Sequence, residues 1–248
     1  MVNLFFNLMS NYSTTILSDL PVAYWRLGEL SGTSAADASG NGRTGTYGGG
    51  IIIGMAGAIR GENDASARFG SAGANVAAPL LPLMSQWTAE AWVYPTAAQT
   101  GTPYIVCDRF SLSGINFGIV VNLSAGTCAV STLYFNGSVV NTPQVELTLN
   151  AWAHVAGTYD GSNLKLYLNG VLSQTLASTT APASGGLATD IGIRNSPGDS
   201  FIGLIDEPAI FNTALSATRI LAHYNAAFAT SGAAAQPLGS QLIQRRAQ

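Results

Sequence analysis

Two turn dipeptides around an alternating strand constrain this chain most. Asp160-Gly161 and Asn169-Gly170 bracket Leu164-Lys165-Leu166-Tyr167-Leu168. Asn-Gly and Asp-Gly tolerate the positive φ that primed hairpin turns require. Between them the leucines alternate with Lys165 and Tyr167, so one face is expected to be buried and the other polar. The preceding segment keeps the same period and puts Ala153, Val155, Gly157 and Tyr159 on one face. Asn136-Gly137 marks a further hairpin. Short strands punctuated in this way predict a β-sandwich.

Length and charge narrow the reading. A chain of 248 residues suits one large β domain, and it can bury most of its apolar surface without staples. Only 9% of its residues are charged, against ~25% in an average globular chain. Its surface must therefore be made largely of Ser, Thr, Asn, Gly and Ala. Such a surface fits either a protein packed against neighbours in a particle or a secreted Thr/Ser-rich domain. The net charge is −3, and only Arg245-Arg246 pair up among scattered basic residues. Nucleic-acid binding, which needs a basic stripe, is not expected. No apolar run reaches the ~18 residues of a membrane span. The opening Met1–Met9 is apolar but short and has no basic n-region, so a signal peptide is not expected.

Cys107 and Cys128 fall in two strand-like segments, Pro103–Arg109 and Thr127–Phe135, with Ile115–Val121 between them. In a meander the middle strand would hold the outer two roughly 10 Å apart. A disulfide needs Cα atoms within ~7 Å. Two free core thiols are the favoured reading, which suits assembly in a reducing cytoplasm.

Five segments occur in a telling order. They are Pro21-Val22-Ala23-Tyr24-Trp25-Arg26-Leu27-Gly28-Glu29, then Asp37-Ala38-Ser39-Gly40-Asn41-Gly42, then Thr88–Val93, then Trp152–Gly170, then Phe201–Ser216. Over about Leu17 to Phe228 they resemble the laminin-G-like family of concanavalin A-type jelly rolls, in its phage-type members. The resemblance implies an all-β, two-sheet antiparallel jelly-roll sandwich. One short C-terminal helix is expected at about Ser216–Phe228, with Ser216 as N-cap and Ile220, Tyr224 and Phe228 as its apolar stripe. The organisation is then an N-terminal arm (1–16), the jelly-roll domain (17–228) and a C-terminal tail (229–248). The arm and tail have too little periodic apolar character for cores of their own and are expected to dock on neighbouring subunits.

The chemistry-bearing residues are few. Glycanases on this scaffold carry carboxylates on alternate residues of one strand, which places acid and nucleophile on one face. No such triplet is present. Asp206 and Glu207 are adjacent, and on a regular strand they would point to opposite faces. Glu62-Asn63-Asp64 reads as a turn. His154 and His223 are the only histidines and read as structural or surface residues. No local signature supports a Cys107–His154–Asp108 arrangement. No catalytic residues are assigned, and the chain is expected not to be an enzyme. The family resemblance implies a possible calcium site at Asp37, Asn41 and Asp206, since calcium takes hard oxygen ligands. The competing reading is that Asp37 and Asn41 make turn bonds to the backbone and Asp206 caps a neighbouring loop. Trp25, Trp87, Trp92 and Trp152 sit in strand-like segments, where a large ring is more often core. Tyr47, Tyr94 and Tyr134 lie nearer to turns.

Three functions compete for such a chain. The first is a bacteriophage virion structural protein, a capsid decoration (cement) protein or a tail or fibre component. It would form a symmetric homo-oligomer, contact other virion proteins and present a lectin-like sandwich to a host-surface glycan. The second is a secreted, extracellular carbohydrate-binding or adhesion module. The third, a glycanase, is disfavoured by the missing carboxylate triplet.

Overall fold

The computed structural model describes residues 11–60, 64–70, 73–99, 101–109, 115–124, 127–180, 182, 187–193 and 199–229. The docking segments expected at Met1–Asn11 and Ala229–Gln248 lie almost wholly outside these residues.

The described elements run as follows. Helix α1 (Asn11–Ser18) comes first, then β1 (Ala23–Tyr24), β2 (Ser34–Ala35), β3 (Gly45–Gly48), β4 (Ile52–Ala56), β5 (Ala65–Phe69) and β6 (Asn75–Ala78). The middle of the chain forms β7 (Trp87–Pro95), β8 (Tyr104–Arg109), β9 (Ile115–Ser124), β10 (Thr127–Phe135), β11 (Val139–Asn141) and β12 (Val145–Leu147). Then come β13 (Ala153–Tyr159), β14 (Asn163–Leu168), β15 (Val171–Ala177), β16 (Ala188–Ile191), β17 (Gly203–Phe211) and α2 (Ala217–Ala226).

These strands form two antiparallel sheets. One has eight strands in the order β15-β14-β13-β7-β17-β5-β4, with β1 also on β17. The other has nine, in the order β11-β10-β9-β8-β16-β6-β3-β2, with β12 also on β10. The all-β sandwich expected from the sequence is the fold observed. Its hairpins follow from turn chemistry. Asn169 and Gly170 both take positive φ, 52° and 77°, joining β14 to β15. The Asp160 carboxylate accepts the Ser162 and Asn163 N–H groups between β13 and β14.

The inner faces meet in one core. Ala153, Val155, Tyr159, Leu164 and Leu166 enter it from β13 and β14, as their alternation requires. Trp25 and Trp87 lie there too, with Trp87 stacked on Phe117 at 4.6 Å. Strand β9 separates β8 from β10, and Cys107 and Cys128 are free and buried. Burial pushes the Cys128 thiol up to about 12, so neither packing nor titration makes it a nucleophile at neutral pH.

The outer face of the eight-stranded sheet carries two helices, not the single one expected. Helix α2 starts at Ser216, whose Oγ accepts the Arg219 N–H. It buries Ile220, His223 and Ala226. It ends at Ala226, short of the expected Phe228, whose ring still packs on Tyr224 and Trp92. Helix α1 is the second. Residues 11–16, assigned to the arm from the sequence, make up most of it. Tyr12 and Ile16 are buried one turn apart against Tyr24, Trp92 and Phe211. Thr14, Thr15 and Ile16 are poor helix formers, so this tertiary contact supplies the stability. No helix among the described residues is long and apolar enough to cross a membrane.

Candidate functional site

The long strand β17 is not regular. Asp206 faces Trp92 and Ala209 faces Glu90 across the β17–β7 ladder, so one extra residue is inserted between them. Glu207 sits in that bulge at φ 54°, a left-handed conformation that is uncommon for a non-glycine residue. Pro208 follows and donates nothing to the ladder; its carbonyl accepts the Trp25 N–H. The bulge corrects the expectation that Asp206 and Glu207 point to opposite faces. Ligand oxygens of Asp206, Glu207 and Asp64 lie within 4.8 Å of one another.

Asp206 and Glu207 are fully buried. Arg26, on the segment after β1, reaches both Glu207 and Asp64 with its guanidinium. Tyr24 donates its hydroxyl to Glu207. Asp206 accepts the Ala58 N–H through Oδ2 at 2.7 Å, while its Oδ1 has no partner. Burial, then the neighbouring Asp64 and Asp206, push Glu207 well above the usual carboxylate range. Burial likewise raises Asp206. Burial and the carboxylates around them thus favour the protonated forms of Asp206 and Glu207.

The other two residues of the expected calcium set belong elsewhere. The Asp37 carboxylate accepts the N–H groups of Tyr24, Ser39 and Arg43 and the Ser39 hydroxyl. Asn41 turns its amide donors to the Pro21 and Val22 carbonyls and to Ser39. Asp37 is not among the carboxylates gathered at Asp206. Asp37 and Asn41 therefore organise their own loop, while Asp206 gathers with Asp64 and Glu207. The described residues that best suit a hard cation are Asp64, Asp206 and Glu207. Arg26 already supplies positive charge to two of these three.

A second polar group lies under α2. His223 contacts Glu90 through Nδ1 at 2.8 Å and Asp19 through Nε2 at 2.7 Å. Arg219 binds the same Asp19. His154 stands 3.7 Å from Glu90, within ion-pair range but too far for a hydrogen bond. His223, Glu90 and His154 are all fully buried. Burial alone would raise Glu90, but His223 outweighs it and holds the carboxyl below its usual range. His223 is raised despite burial, because Glu90 and Asp19 favour its cation. Burial lowers His154 to about 4. Both histidines are thus structural. His154 lies on the outer side of the eight-stranded sheet. Cys107 belongs to a small cluster with Tyr104, Val120 and Leu133 in the other sheet. The core separates the two, so no Cys–His–Asp constellation forms.

Trp25, Trp87 and Trp92 are buried as expected. Trp152 is half-buried and packs against Tyr94 at 5.5 Å. Tyr47 and Tyr134 are buried, and each spends its hydroxyl inside the chain, on Glu29 and on Ser178 and Thr180.

Residues 69–221 match the family model described as the concanavalin A-like lectin/glucanases superfamily. The chain belongs to that superfamily. No curated protein sequence matches it. Solved structures share the fold at low identity. The botulinum neurotoxin serotype D binding domain is 16% identical with a TM-score of 0.65, over 87% of this chain and 52% of that one. The botulinum neurotoxin type G receptor binding domain is 17% identical with a TM-score of 0.61, over 83% and 51%. This chain spans about half the length of those toxin domains. Domain 4 of AbnA, a GH43 extracellular arabinanase from Geobacillus stearothermophilus in complex with arabinotriose, is 22% identical with a TM-score of 0.58, over 82% and 98%.

Proposed function

We propose that this member of the concanavalin A-like lectin/glucanases superfamily is a non-catalytic glycan-recognition module carried by a bacteriophage particle, as a capsid decoration or tail component. One observation carries the non-catalytic reading. Asp64, Asp206 and Glu207 are the group of three acids that approach one another among the described residues; Asp206 and Glu207 are buried, Asp64 is half-buried, and they are bonded to Arg26, Tyr24 and the Ala58 N–H. A glycosidase needs one carboxylate above the scissile bond and a second beneath it, both open to substrate. Here the acids hold β17 to β1 and to the segment before β5. What remains for the module is binding. The arabinotriose complex of AbnA domain 4 and the receptor-binding role in the toxin domain names support that class.

Placement on a virion rests on composition. The low share of charged residues leaves a surface suited to close packing with identical neighbours, and the buried free thiols suit assembly in a reducing cytoplasm. The tails are the proposed anchors. Deleting Ala229–Gln248 is expected to leave the far-UV circular dichroism unchanged and to reduce incorporation into particles. Equal loading of the truncated chain, and of one lacking Met1–Asn11, would favour the secreted adhesion module instead.

A further inference from the structure

Beyond the helices, one line of side chains crosses five strands on the outer face of the eight-stranded sheet. Trp152, just before β13, packs near edge-on against Tyr94 of β7. Tyr94 faces Leu204 of β17. Leu204 faces Arg68 of β5, and Arg68 faces Ile52 of β4. Directly opposed residues in a ladder share a face. Their chain neighbours Val93, Ile205, Ala67 and Phe69 enter the core, so this line points outward. It is accessible: Trp152, Tyr94 and Leu204 are half-buried, Arg68 is exposed and Ile52 is 52% exposed.

Arg68 sets the line apart. Its guanidinium makes no ion pair or hydrogen bond among the described residues. The other described cations each face a carboxylate, a carbonyl or a ring. Arg68 stands between Leu204 and Ile52, two strands from Tyr94, so the backbones of Arg68 and Tyr94 are roughly 10 Å apart.

We propose that this line is a binding site for an acidic glycan, with the Tyr94–Trp152 pair against the apolar C–H face of one sugar and Arg68 on the carboxylate or sulfate of the next. The inference rests on the recognition reading above and names its ligand class. Aromatic rings offer rigid apolar area with little entropy to lose. A guanidinium takes a planar anion through two parallel N–H bonds. Five residues in one row are far short of the roughly 800 Å² per partner of a stable protein interface, whereas an oligosaccharide needs a ring, a charge and a flat track.

The test titrates the full chain with matched acidic and neutral oligosaccharides, followed by calorimetry and tryptophan fluorescence. Trp25, Trp87 and Trp92 are sealed, so Trp152 reports contact with this row. The acidic sugars are expected to bind about tenfold more tightly than their neutral counterparts. Arg68→Gln, at an exposed position, should erase that preference by bringing the acidic sugars down to the affinity of the neutral ones. Tyr94→Ala should weaken both, and Trp152→Phe should remove the fluorescence change while calorimetric binding persists. Acidic and neutral arms compare uronate, sialate and sulfate sources of the charge. Glycan binding untouched by Arg68→Gln and Tyr94→Ala would overturn this site and leave the recognition reading standing. No binding anywhere in the panel would overturn both. Self-association abolished by Ile52→Asp, without glycan binding, would assign the row to a second copy of the chain and also overturn the proposal.

Discussion

Glu90 and Glu207 lie on neighbouring strands of one sheet, are equally buried, and titrate in opposite directions. Burial disfavours the charge of both. Glu90 meets His223, whose imidazolium pulls it below the carboxylate range. Glu207 meets Asp64 and Asp206, and the single Arg26 does not offset them. The sign of the neighbours therefore decides the outcome, and depth does not. The first group staples α2 and the end of α1 to the sheet as an ion network. The second closes the bulge of β17 as a proton-holding cluster.

The largest expected effect breaks the first group. His223→Ala leaves Glu90 buried without its cation and should cost about 3–5 kcal/mol, read by urea unfolding. The pH window follows from the shifts. Glu90 is lowered, so its contribution is present above the ordinary carboxylate pKa and is lost as pH falls through its depressed folded value. His223 is raised, so its contribution is present below the ordinary imidazole pKa and is lost as pH rises through its elevated folded value. The penalty for His223→Ala should peak between those limits and shrink on both sides. His223→Gln, which keeps a hydrogen-bonding group, should lose less.

Arg26→Ala removes the cation of the second group. Because Arg26 is partly exposed, the loss should be smaller, about 2 kcal/mol. This variant also tests for metal. If Arg26 is the cluster's cation, calcium should leave the wild-type melting temperature unchanged and raise that of Arg26→Ala. A calcium-dependent rise in the wild type, lost in Asp206→Ala, would reassign the cluster to a resident ion.

His154→Leu sharpens the comparison, because His154 sits beside Glu90 but stays neutral. The unfolded chain protonates below about 6.5, whereas the folded ring resists until about 4. Stability contributed at neutral pH is therefore lost as pH falls through that interval, roughly 2 kcal/mol by pH 5. His154→Leu should lose less stability than the wild type between pH 7 and pH 5.

The smallest effect is a change of slope. Glu207 is raised, so between the ordinary carboxylate pKa and its folded value the native state holds a proton that the unfolded state has released. Stability falls as pH rises through that window. Glu207→Gln, which keeps a donor for Asp64, should be nearly neutral at low pH and should flatten the decline. A slope unchanged by the substitution would remove Glu207 from the proton-holding role.

Local signals in the chain were enough for the sandwich and not for the site. Alternation in Leu164–Leu168 and the Asn169-Gly170 turn place β14 and its hairpins, and the strand between the two cysteines keeps them apart. Helix α1 was hidden because Thr14, Thr15 and Ile16 disfavour helix locally, and only the contacts of Tyr12 and Ile16 make it. Pro208 inside a strand was a readable sign of a bulge. Its consequence was not readable, because Arg26, Asp64 and Glu207 are far apart in sequence and meet only in the folded chain. The same holds for Glu90, His223 and Asp19. In the Asp37 loop, local bonds to Ser39 and Arg43 and longer-range ones to Tyr24, Pro21 and Val22 engage the side chains that family resemblance had offered to calcium.

Recognition without catalysis can be followed in a single set of samples. The full chain is incubated with a broad panel of oligosaccharides and polysaccharides, and binding and reducing-sugar release are followed in the same samples. Binding to a subset of the panel with no reducing sugar released is the predicted result. Reducing-sugar release that Glu207→Gln abolishes would contradict it.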